Sequence, residues 1–247
     1  MKMKDIWAAL NSWAPFDTAE EWDNSGMQVE MNEEDVTGIL VTLDVTKEAV
    51  KKAAEYGTNV IVSHHPILFH PPKTVTDSDV LYKLIQNGIG CIAAHTNLDK
   101  ASGGVNDCLC EALNLHDATS ICNGIGRVAK LDFPMDAVDF GKTVSSKLNT
   151  GVQMHLTKKT IQSVAMVCGG GGDFVSEAML ESGADAFLTG EVKHHEWIDN
   201  SAYTIYSAGH FATENVVVKA LAAFLQKSFP QIPVKVFDEP SPYQTII

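Results

Sequence analysis

Two stretches of the chain follow one plan in one register. "ILVTLDVTKEAVKKAAEYGTNVIVSHHP", from residue 39, runs from an apolar strand through a helix and a glycine stop into a second strand. "AMVCGGGGDFVSEAMLESGADAFLTGEV", from residue 165, repeats those elements in order. At an offset of 126 and with no gap, Val41 falls on Val167, Glu55 on Glu181 and Gly57 on Gly183. Both halves then pass through a helical stretch to a third strand that ends in histidine, "GIGCIAAHTNLD" with His95 and "AYTIYSAGHFATE" with His210. Strands alternating with helices predict an α/β fold of mixed, mostly parallel sheets, built from two strand–helix repeats. The expected division is 1–124 for the first repeat and 125–247 for the second, with "GIGRVAKLDFPMDAVDF" (124–140) as the boundary segment.

In parallel sheets of this kind, ligands gather at the carboxyl ends of the strands. "SHHP", "AHTNLD", "CGGGG", "TGEVKHH" and "AGHFATE" all fall there, and both halves supply them. One site built from both repeats is therefore expected. Neighbouring side chains on a strand point to opposite faces, so the adjacent His64 and His65 suit two metal ions better than one. Asp99 lies four residues after His95. His210 and Glu214 sit one turn apart if "HFATENVVVKALAAFLQ" is a helix starting near Phe211. Histidine and carboxylate donors suit iron, zinc, manganese, cobalt or nickel.

Charge narrows the partners. The 247 residues carry a formal net charge of −13, which repels nucleic acid and anionic membranes. A phosphorylated substrate in a metal-lined pocket remains compatible, because the cation dominates the local field. The start, "MKMKDIWAALNSWAP", has helical spacing at Ile6, Trp7, Leu10 and Trp13 and is too short and polar for a signal peptide. No apolar stretch approaches the ~20 residues that span a bilayer. The five cysteines, Cys91, Cys108, Cys110, Cys122 and Cys168, are odd in number and lack C-x-x-C spacing; they read as buried thiols of a cytoplasmic protein.

"SHHPILF", "AHTNLDKASGGVND", "TGEVKHH" and "AGHFATE", with "AEEWDNSGMQV" near the start, together resemble the NIF-three-like family of GTP cyclohydrolase I type 2 homologs. The resemblance spans Trp22 to Glu214. It implies two intertwined α/β repeats, a toroidal homohexamer and two divalent metal ions per subunit. It also implies that one ion takes His65, Asp99 and Glu214, and the other His64, His210 and Glu214, with the glutamate bridging. Some members carry an inserted mid-chain domain, for which this chain has no room. The activity implied is metal-dependent hydrolysis of a nucleotide or related phosphorylated small molecule; the alternative is a metal-dependent binding, regulatory or storage protein without turnover.

Other residues stay open at this level. His95 reads as a ligand-orienting donor, a substrate contact or a strand-end polar residue. His195 is a candidate general acid or base, and its neighbour His194 reads as exposed. Glu191 either orients a ligand or caps a loop. The glycine run 169–172 cradles an anion or simply turns tightly, since it fits neither G-x-G-x-x-G nor a P-loop. Lys73 reads as a phosphate contact or a solvated loop residue. No serine or cysteine carries a nucleophile signature.

Overall fold

The computed structural model describes residues 1–31, 35–70 and 72–244. Eleven strands are formed among them: β1 (Gly26–Val29), β2 (Ile39–Thr42), β3 (Val60–Ser63), β4 (Gly90–Ala93), β5 (His116–Ile121), β6 (Gly126–Asp136), β7 (Gln153–His155), β8 (Thr160–Val167), β9 (Ala186–Thr189), β10 (Ile205–Ser207) and β11 (Val234–Val236). They make two sheets, ordered β1-β4-β3-β2-β11 and β5-β6-β8-β9-β10-β7. In the first, β4, β3, β2 and β11 are parallel and β1 is antiparallel on the edge. In the second, a parallel core of β8, β9 and β10 is flanked by antiparallel β6 and β7, with β5 antiparallel outside β6. The fold is mixed α/β, as the alternating pattern predicts.

The element order repeats. Helix Met3–Trp13, β1, β2, helix Lys47–Tyr56, β3, helix Val80–Gln86, β4, short helix Thr96–Lys100 and helix Val105–Leu113 make the first series. Helix Ala137–Leu148, β7, β8, helix Val175–Ser182, β9, helix His194–Asp199, β10, short helix His210–Glu214 and helix Val216–Ser228 make the second. The chain nevertheless clusters as Met1–Ser102 with Val218–Pro240, and as Gly103–Val217 with the residues from Ser241 on. Most of the closing helix of the second series, with β11, thus belongs to the first unit, while the closing helix of the first series belongs to the second. Segment 124–140 lies inside the second unit, as β6 and the start of helix Ala137–Leu148.

Local chemistry explains the units' cores. β2, β3, β4, β9 and β10 are buried along their whole length, which is why they read as unbroken apolar runs rather than alternating ones. Each fully buried Leu or Ile contributes about 1.5–3 kcal/mol relative to exposure. Leu40, Val50, Ile61, Leu84 and Cys91 pack together in the first unit, and Ile121, Val167, Val175, Phe187 and Ile205 in the second. Helix Lys47–Tyr56 starts on Thr46, whose hydroxyl accepts the Ala49 N–H at 3.1 Å. Gly57 and Gly183 end the matched helices at φ +69° and +62°, in the left-handed region. All five cysteines are free thiols, four buried and Cys108 partly so. No helix among the described residues is long and apolar enough to cross a membrane.

Asp185 pins the entry to β9. It accepts the N–H groups of Gln162 (2.9 Å) and Ser163 (3.0 Å), the Ser163 hydroxyl (3.0 Å) and the Lys158 ammonium (2.6 Å). Burial alone would raise its carboxyl, but the Lys158 and backbone hydrogen bonds outweigh that and draw it down to about 2. The folded value lies below the unfolded one. The stabilisation is therefore present above about pH 4 and is lost as the pH falls from there toward about 2. Asp185→Asn is expected to be less stable than the parent by about 1–2 kcal/mol at neutral pH after solvent screening, with the gap closing in acid. Urea unfolding across that range checks it; a pH-independent gap would contradict the assignment.

Candidate metal-binding residues

In the first unit, three imidazoles meet at the carboxyl ends of β3 and β4. His64 and His65 follow β3 directly; His95 follows Ala94 and precedes helix Thr96–Lys100. One ring nitrogen from each lies within 4.8 Å of the others. The ring centroids are 4.9 Å apart for His64 and His65, 5.1 Å for His64 and His95, and 5.6 Å for His65 and His95. His64 is fully buried.

Each ring has its Nδ1 on an oxygen that can only accept. His64 Nδ1 donates to the Ala94 carbonyl at 2.8 Å, His65 Nδ1 to Asp44 Oδ1 at 2.8 Å, and His95 Nδ1 to Asp23 Oδ1 at 2.8 Å. In the neutral ring the lone pair must then sit on Nε2. Such a partner on the far nitrogen is the usual support of a metal-ligating histidine. Asp99 belongs to the same cluster, with Oδ1 3.7 Å from His64 Nε2. Asp23 is held by four further donors: Ser25 Oγ (2.6 Å), Thr96 Oγ1 (2.7 Å), the Thr96 N–H (3.1 Å) and the Asn24 N–H (2.7 Å). Burial works to raise its carboxyl; the hydrogen bond and charge of His95, with the Ser25 and Thr96 hydroxyls, overcome this and hold it well below the carboxylate range. Burial depresses the His95 imidazolium, against the opposing pull of Asp23. The exposed rings of Trp22 and Phe69 stand edge-on to His95 at 6.0 and 5.6 Å.

In the second unit the pattern recurs on the helix after β10. His210 Nε2 is 3.0 Å from Glu214 Oε2, and His210 Nδ1 is 3.3 Å from Glu191 Oε2. Of the two readings of Glu191, the geometry favours the orienting one. The expected helix is divided: His210–Glu214 forms one turn, and Val216–Ser228 follows after Asn215, which keeps helical φ and ψ. The glycine run works by close approach. Gly169 has φ +61°, and a Cβ there would lie 1.9 Å from Glu214 Oε1 and 3.0 Å from His210 Nε2. A Cβ on Gly172 would lie 2.3 Å from Glu196 Oε2. Thr213 ties the parts together: its hydroxyl accepts the Gly169 N–H at 3.1 Å and lies 2.9 Å from the His210 carbonyl. Asn106 supports the same loop, accepting the Cys168 N–H at 3.0 Å and donating to the Ile125 carbonyl at 2.9 Å. Beside the His210–Glu214 helix, Asn149, Thr150, Phe211, Asn215 and Tyr243 line a cavity of about 300 Å³.

His195 lies exposed in the first turn of helix His194–Asp199 beside an equally exposed His194. Its charge neighbour is Asp173, and no hydrogen bond or ion pair joins it to His210 or Glu214. Lys73 is exposed. The residues that composition and spacing do not single out are Asp23, Asp44 and Thr213, and Gly169 stands out only as part of the glycine run. Asp23 had a signal, since it stands within "AEEWDNSGMQV".

The family profile described as Duf34/NIF3 (NGG1p interacting factor 3) matches residues 1–242. A GTP cyclohydrolase 1 type 2 homolog of Clostridium perfringens is 34% identical over 229 residues, covering 87% of each chain. A protein of the same name from Clostridium acetobutylicum is 33% identical over 256 residues, 96% of this chain and 95% of its own. The solved structure of Staphylococcus aureus hypothetical protein SA1388 superposes with a TM-score of 0.93 at 30% identity, covering 100% of this chain and 99% of that one. The chain belongs to the Duf34/NIF3 family.

Proposed function

We propose that the chain is a divalent-metal-dependent hydrolase acting on a nucleotide or related phosphorylated small molecule. Two ions per subunit would be held by His64, His65, Asp99, His210 and Glu214, with Glu214 serving both. The observation that carries this reading is the common orientation of the imidazoles: His64, His65, His95 and His210 each set Nδ1 against an oxygen and offer Nε2 as donor. Neutral imidazoles with carboxylates suit iron, zinc, manganese, cobalt or nickel. The 3.7 Å between His64 Nε2 and Asp99 Oδ1 supports assigning those two to one ion. That exchanges the partner that the family resemblance implies for Asp99.

When bound, such ions supply Lewis acidity and a water whose pKa is lowered toward ~7. The chain's own residues do the rest. Asp44, Asp23, Glu191 and the Ala94 carbonyl hold the rings in register. Gly169 leaves space for the Glu214 carboxylate. His95 and His195 are the proton carriers; His95 stands among the donors, and His195 acts from the helix that follows β9. The name shared by the clostridial relatives supports a purine nucleotide as substrate. Assembly is proposed as a toroidal homohexamer; light scattering that gives a stable monomer at micromolar concentration would refute it.

Metal analysis of purified variants tests the donors. Glu214→Gln and Gly169→Ala are expected to lower the content of both ions, the second by displacing Glu214. Asp44→Asn and Asp23→Asn are expected to weaken metal binding ~10–100-fold without removing a donor. Two ions retained at full affinity in Glu214→Gln would exclude the bridge.

Turnover is tested with metal-reconstituted protein against GTP and simple phosphoesters, following formate and phosphate together. Many equivalents of product are expected, lost on chelation and restored by divalent metal. His195→Gln is expected to cut turnover ~10²–10⁴-fold at unchanged metal content. Metal-dependent nucleotide binding with at most one equivalent of product would replace the hydrolase by a binding protein.

A further inference from the structure

A second set of ligating side chains meets in the second unit, and the histidine chemistry makes no use of it. Cys122 follows β5, and Glu177 and Glu181 lie four residues apart on helix Val175–Ser182. One donor atom from each of the three lies within 4.8 Å of the others. The Cys122 N–H donates to Glu181 Oε2 at 2.7 Å, which fixes that carboxylate over the turn. The thiol is 2% exposed and makes no hydrogen bond among the described residues. It is a buried polar group directed at two carboxylates.

The matched helix of the first repeat shows what is unusual here. At the offset of 126, Glu181 corresponds to Glu55 and Glu177 to Lys51. Glu55 is neutralised by Lys52 at 2.8 Å and Lys51 at 3.9 Å. In the second repeat those lysine positions hold Glu177 and Ala178, and neither glutamate has an ion-pair partner among the described residues. Like charges at i,i+4 repel, and here they converge on a sulfur.

We propose that Cys122, Glu177 and Glu181 form a second cation site, separate from the histidine donors, for a borderline-soft divalent ion of the zinc and cadmium class. One thiolate and two carboxylates suit such an ion and leave a position for water, whereas magnesium and calcium select oxygen alone. Binding replaces the S–H bond by a metal–sulfur bond and releases the proton to solvent.

The probe is cadmium added to the full-length, chelator-stripped protein, read by the ultraviolet charge-transfer absorption of a cadmium–thiolate bond. The five proposed donors of the histidine site contain no sulfur, so cadmium held there gives no such band, and the cysteine variants separate the new site from the other thiols. It is expected to saturate at one ion per chain, to vanish in Cys122→Ser and to persist in Cys108→Ser. Glu177→Gln removes a solvent-exposed carboxylate and leaves the fold intact; it is expected to raise the half-saturation concentration at least tenfold, and it decides the matter by itself if Cys122→Ser does not fold. The absence of a band, a band that survives in Cys122→Ser, or a Glu177→Gln titration that superimposes on the parent would each overturn the proposal.

Discussion

The hydrogen bond from Nδ1 is the constraint on which the site depends. An imidazole can ligate through either nitrogen and rotates about two bonds, so a histidine at a strand end is not by itself a donor in a defined place. Here His64, His65 and His95 are each pinned from behind by an oxygen at 2.8 Å. The bond fixes the tautomer, the ring plane and the direction of the remaining lone pair at once. His210, with Glu191 behind Nδ1 and Glu214 before Nε2, repeats the device in the second unit.

The fold exists, in this sense, to bring acceptor and ring together from distant positions. Asp44 follows β2 and serves a ring that follows the neighbouring strand β3. The Ala94 carbonyl follows β4 and serves a ring on β3's other side. Asp23 precedes β1, which pairs antiparallel with β4, and the register Gly26↔Ala93 brings it beside His95. Register therefore does in the sheet what a loop cannot: it sets distances across 21, 30 and 72 residues of chain. A one-residue slip would turn each side chain to the other face and dissolve the site.

This explains which parts were legible in the sequence. The strand–helix alternation, the repeat and the polar strand ends show directly in hydrophobic pattern, and His64, His65, Asp99, His210 and Glu214 stand out because donor types cluster there. Asp23 and Asp44 are ordinary acidic residues until pairing sets them behind a ring. Gly169 looks like a turn glycine; its use appears only when the space a Cβ would take proves to hold Glu214. The allocation of the closing helices was also hidden, because an amphipathic face states that it needs a partner and not which one. His195 shows the reverse. Its place in "TGEVKHH" marks it, yet the side chain is exposed and unconnected to His210 or Glu214, so its role rests on the family motif.

Asp23 and His95 carry the argument one step further, to protonation. A buried imidazole beside a carboxylate can exist as an ion pair or as a neutral ring donating to an anion. Burial works against charge on both groups, but the two are not equally served. Asp23 accepts from Ser25, Thr96 and Asn24 as well as His95, so its anion is solvated by protein, and it stays ionised. His95 has one acceptor and two neighbouring imidazoles, His64 and His65, that disfavour a positive charge, and its pKa is lowered by burial first of all. The stable state near neutral pH is therefore an ionised Asp23 and a neutral His95 with its lone pair on Nε2. That lone pair can take up a proton from substrate, and the negative charge behind the ring strengthens it as a base. The same carboxylates that give the chain its acidic balance thus act locally, as the fixed anions against which a neutral histidine cluster is aimed.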